Sequence, residues 1–147
     1  MKIKPEHYWL AIFAICFFAF QLVQDNIRPN YVGNNLTIQY LLGIAPNFFP
    51  SVGIPALFVV FIPIFDKKNK SSKWLDENKH LAANMISLIG LLSWEFLQLA
   101  TTNGRFDWND VIWTINGSII FYLIWVLTPV KWKIKKKDIN NAATRNG

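Results

Sequence analysis

Residues 80–129 read HLAANMISLIGLLSWEFLQLATTNGRFDWNDVIWTINGSIIFYLIWVLTP, two apolar runs around a short polar segment. From His80 to Thr101 the one charged residue is Glu95, and from Val111 to Val130 there is none. The apolar core of a bilayer takes about 20 helical residues at roughly 1.5 Å each, so each run is one crossing long. Both runs are apolar all round, as in helices surrounded by lipid or protein, not by water. Between them, residues 101–105 centre on Asn103-Gly104, a turn signal. The spacing predicts an antiparallel hairpin of membrane helices.

The same pattern extends toward the N-terminus. Tyr8 to Gln24 and Pro29 to Phe65 carry no charged residue. Across all 147 residues, 52% are hydrophobic and 16% charged, which argues against a water-soluble domain built from amphipathic helices. The predicted fold class is all-α, a polytopic membrane protein folded as a four-transmembrane-helix bundle. The helices fall at about 8–23, 47–65, 81–101 and 107–129, in a single transmembrane domain over 1–130 with a basic cytoplasmic tail over 131–147. LTIQYLLGIA, residues 36–45, is too short to cross and ends against Pro46. Its options are a short re-entrant or interfacial helix within 34–45 or a loop packed on the bundle, with Asn47 as the N-cap of the second crossing. The polar segment DNIRPNYVGNN reads as a loop, and residues 66–80 as a charged connector. No small-residue cleavage pattern follows the first run, which is read as a retained helix. Cys16 stands alone, so no internal disulfide forms, and it reads as a small packing residue.

Charge sets the expected orientation. With four crossings, the N-terminus, the 66–80 connector and the tail share one side and hold 13 of the 15 Lys and Arg; Arg28 and Arg105 lie on the other. The positive-inside rule puts both termini in the cytoplasm. Basic residues beside helix ends attract anionic lipid head groups, so the formal charge of +6 requires no nucleic acid. Trp9 and Trp132 are expected at the inner interface and Trp108 at the outer one.

The polar segment then lies at the outer end of the third and fourth helices. Glu95 and Gln98, three apart, share a helix face that Thr101 and Thr102 continue. A carboxylate about 10 Å below the end of a membrane helix is costly and is a functional-site candidate. Asp107, Asp110 and Thr114 form one face of the next helix, and Arg105 in the turn reaches either set. The candidate ligand-binding residues are Glu95, Gln98, Arg105, Asp107 and Asp110. Asp107 and Asp110 also make a good helix start, a cap with a second carboxylate at the positive end of the dipole. With Glu95 ionised, three carboxylates against Arg105 give a formal charge of −2, which suits an amine, sugar hydroxyls or a basic peptide stem. His7 and His80 make no metal spacing with a cysteine, and the motifs call for no cofactor.

SWEFLQLATTNGRFDWNDVIWTINGSI, with Glu95, Gln98, Gly104-Arg105, Asp107, Asp110 and Gly117, resembles the signature of the VanZ-like family of small bacterial membrane proteins. GIAPNFFPSVGIPALF is similar to a stretch seen in part of that family, so the resemblance covers about residues 43–127. Many members carry Asn four residues after the last Asp, where this chain has Thr114. The resemblance implies a four-helix protein of the bacterial plasma membrane with a role like resistance to the glycopeptide teicoplanin. It implies no particular reaction. Three functions follow as expectations: an outward polar site for an envelope or antibiotic-related ligand; an enzyme on a lipid-linked or cell-wall precursor with Glu95 as the catalytic acid/base; or a proton or cation carrier. No nucleophile and no second intramembrane carboxylate accompany Glu95, which favours the first.

Overall fold

The computed structural model describes residues 4–66, 73–98, 100 and 106–134, which contain helices and no strand. Four of the helices are long and apolar enough to cross a membrane. Helix α1 runs Pro5–Asn30. Pro5 stands in its first turn, where a missing N–H is no loss. Over Leu22–Ile27 the helix widens to a π-type turn, in which the Arg28 N–H donates to Val23 O, five residues back. The predicted loop after Val23 is thus helical as far as Asn30. Side chains one turn apart support it, Asn30 Nδ2 on Asn26 O at 2.7 Å and Arg28 Nη1 on Gln24 Oε1 at 3.4 Å.

Helix α2 is a single helix, Leu36–Asp66, that continues through Pro46, Pro50, Pro55 and Pro63. This corrects the expected separate helix within 34–45. The cap is Asn35, not Asn47: its side-chain oxygen accepts from the N–H groups of Thr37 at 3.0 Å and Ile38 at 3.3 Å. Proline removes one backbone bond, but packing against three neighbouring helices holds the chain helical. At 31 residues α2 is about 46 Å long, more than the roughly 30 Å apolar core of a bilayer. In the connector, Lys73–Glu77 forms the short helix α3. Helix α4 is Lys79–Gln98 and α5 is Trp108–Leu127, close to the predicted bounds. Thr128 closes α5, its N–H and Oγ1 both donating to Ile124 O, and Pro129 prevents continuation. A 3₁₀ turn follows at Val130–Trp132.

Helix α2 is the centre of the bundle and packs against α1, α4 and α5, while α4 and α5 pack on each other. Small residues set the closest approaches, as expected where helices associate without a hydrophobic driving force between them. A Cβ at Gly53 would lie 2.9 Å from the Cβ of Cys16, so Cys16 acts as the predicted packing residue between α1 and α2. Asn84 and Ser118 bridge α4 and α5 with a reciprocal pair, Ser118 Oγ to Asn84 Oδ1 at 2.9 Å and Asn84 Nδ2 to Ser118 O at 3.2 Å.

The buried core gathers at the end where α1 and α4 begin and α2 and α5 finish: Trp9, Ala56, Val59, Val60, Ala83, Phe121, Trp125 and Ile134. Trp9 is fully buried, turned into the bundle and not outward as an interfacial belt residue. Its ring packs on Trp125 with centroids 5.0 Å apart, and its Nε1 donates to Trp132 O at 2.9 Å. Substituting Trp9→Phe loses that bond and part of the ring volume. The expected cost is about 1–3 kcal/mol, read as a lower unfolding midpoint in detergent micelles. With the apolar core at this end, the opposite end is left to the polar residues.

Candidate functional site

Three helices bring polar side chains to that opposite end. The π-type turn changes which face of α1 the following residues present and sets Arg28 at the helix end. Helix α2 contributes Tyr40 and Asn47, which belong to one continuous helix because Pro46 does not break it. Helix α5 contributes Asp107, Asn109 and Asp110. Together these residues line a cleft of about 210 Å³, floored by Gly43, Ile44 and Pro46.

Asp107 is the N-cap of α5: Oδ1 accepts from the Asn109 N–H at 2.8 Å, and its carbonyl accepts from Asp110 N at 3.1 Å. Capping and lining the cleft are compatible, since the exposed carboxylate does both. Asp110, one turn into the helix, is half-buried and lines the cleft with Asn47, with Arg28 within electrostatic reach. Arg28 itself hydrogen-bonds Gln24 and makes no ion pair within 4 Å among the described residues. The cleft therefore holds a guanidinium and two carboxylates that do not close on one another.

Glu95 lies behind these carboxylates on α4. It is 4% exposed, lies within electrostatic reach of Asp110 and Asp107, and its Oε2 has no hydrogen-bond partner among the described residues. An unsatisfied buried carboxylate oxygen beside two like charges is a costly arrangement, which packing alone gives no reason to keep. Gln98 sits three residues further on the same helix, half-buried, near the end of α4. Arg105 and the turn over residues 101–105 lie outside the described residues. Asp107 and Asp110 thus share the cleft, while Glu95 does not line it and lies within electrostatic reach of both. Among the described residues no grouping of three or more His, Cys, Asp or Glu is arranged to hold a metal ion.

Two site residues were not identified from sequence. Arg28 has only a weak signal, that it is one of two basic residues outside the basic side. Asn47 is a polar residue within a long uncharged run, and the proline before it made a cap the natural reading.

Beside the polar cleft lies a second cavity of about 370 Å³, lined by Val23, Leu41, Leu42, Ile44, Ala45, Phe48, Phe49 and Trp113. Ile44 belongs to both. Where they adjoin, Trp113 Nε1 donates to Tyr40 OH at 3.0 Å across α2 and α5. Tyr40 faces the cleft and Trp113 the apolar groove.

No protein-family model, curated protein or solved structure matches the chain, so the reading of this site rests on its own geometry.

Proposed function

We propose that this chain is a VanZ-like multi-pass protein of the bacterial plasma membrane, with both termini in the cytoplasm. On this reading its outward cleft binds the polar part of an envelope or antibiotic-related ligand. The 13-to-2 division of basic residues supports the orientation, since the Arg28 side is the poor one. The carrying observation is the convergence of Arg28, Asn47, Asp107 and Asp110 on one cleft from three helices, with Glu95 buried behind it. The residues offer hydrogen bonds and charge of both signs to a ligand at the membrane surface. They support recognition, and the resemblance to the VanZ-like family adds the expected consequence, a role like resistance to teicoplanin.

The double variant Asp107→Asn, Asp110→Asn tests this reading. Asn caps a helix about as well as Asp, so α5 and membrane insertion should survive while the charge is lost. Expressed in a teicoplanin-susceptible bacterium, the native chain is expected to raise the inhibitory concentration and the double variant to return it to the empty-vector level. Resistance that persists in a variant found at normal amounts in the membrane fraction would overturn the assignment, as would a native chain without effect.

A further inference from the structure

The polar cleft and the apolar groove are adjacent and share Ile44, and their contents differ in kind. The cleft presents an unpaired guanidinium, Arg28, across from the carboxylates of Asp107 and Asp110. Asn47 lines the same cleft. The groove offers only apolar surface along Val23, Leu41, Phe48, Phe49 and Trp113. A ligand matching both has a head with an anionic and a cationic group joined to an apolar chain. Resting on the reading of the cleft as a ligand site, we propose that the two cavities hold one zwitterionic phospholipid bearing a primary amine.

In this arrangement the phosphate lies on Arg28, whose planar fork suits phosphate oxygens. The ammonium donates to Asp107 and Asp110, and one acyl chain follows the groove past Trp113. Charge complementarity selects the head. A phosphatidylglycerol lacks the cation for the carboxylates, and a phosphatidylcholine has the charge but no N–H to donate. Phe48 and Tyr40 both pack edge-on to Trp113, at centroid distances of 6.1 and 6.4 Å, and give the groove an aromatic wall where the chain leaves the head.

The test uses the full chain, purified and delipidated in a neutral detergent, titrated with single lipids and read by native mass spectrometry. Dipalmitoyl-phosphatidylethanolamine is expected to bind about tenfold or more tightly than the matching phosphatidylcholine or phosphatidylglycerol. Glycerophosphoethanolamine, the head without chains, should compete at least about tenfold more weakly than the full lipid, because the groove contributes. Arg28→Gln, at an exposed position, should weaken all three lipids together while leaving the thermal unfolding midpoint unchanged, and Asp107→Asn with Asp110→Asn should remove the preference. Equal binding of the three lipids would overturn the inference, and so would a preference that survives Asp107→Asn with Asp110→Asn. Absence of lipid preference together with Asp-dependent teicoplanin resistance would remove the lipid and leave the cleft's proposed role in place.

Discussion

Replacing Gly117 by alanine is expected to destabilise the protein by about 1–3 kcal/mol, and by valine considerably more, because no space exists for a side chain there. Gly117 is where α5 lies closest to α2. A Cβ would collide with the hydroxyl of Ser51 and stand 2.8 Å from Phe48 O and 2.9 Å from Ser51 Cβ. The hydroxyl is held in place, since Ser51 Oγ donates to Phe48 O at 2.7 Å, and the carbonyl is part of the α2 backbone. The helices must therefore move apart. Ser51 is one turn along α2 from Asn47, and Gly117 is two turns along α5 from Asp110, so the separation at Gly117 sets the spacing of the cleft above it. Both an earlier unfolding transition in micelles and a loss of cleft function follow from one methyl group. Adding Ser51→Ala removes the hydroxyl and leaves the carbonyl, so the pair should recover only part of the stability. Recovery to the native midpoint would mean that the backbone contact is unimportant, and a stable Gly117→Ala variant would contradict the packing itself.

The hairpin of α4 and α5 is legible in the sequence because its evidence is local: two uncharged runs of one crossing each, separated by turn residues. The same reasoning misplaces α2, where Pro46 after a short apolar run is a strong local break signal. Neighbouring helices on three sides outweigh it. The cap that starts this helix, Asn35, is a common capping residue type, but the prolines drew attention to Asn47 instead. At the site, Glu95, Asp107 and Asp110 were visible because carboxylates stand out against an apolar chain. The few residues between the two apolar runs further imply that the runs lie side by side. Arg28 and Asn47 come from helices distant in sequence, and nothing in spacing links them to Asp110. Their participation depends on the π-type turn in α1 and on unbroken helicity through Pro46, neither of which a periodic pattern encodes.

Glu95→Gln is expected to raise stability while it abolishes function. The carboxylate is buried, one oxygen lacks a partner among the described residues, and Asp110 and Asp107 lie within reach, so ionised Glu95 brings a desolvation cost and a like-charge repulsion together. Glutamine keeps the shape and removes the charge. A gain of about 1–2 kcal/mol, seen as a higher unfolding midpoint in micelles, is the expected result. Natural proteins keep such costly groups where activity needs them, so teicoplanin resistance and the preference for the amine-bearing lipid should both fall in the same variant. The two readouts separate the explanations. A variant that is less stable yet fully active would make Glu95 a structural residue whose carboxylate supports the fold. Higher stability with lost binding means that its charge is retained for the ligand, because no packing defect accompanies the loss. Asp107→Ala, which would also remove the α5 cap, cannot give so clean a separation; Glu95→Gln can, because Glu95 caps no helix and its Oε2 has no hydrogen-bond partner among the described residues.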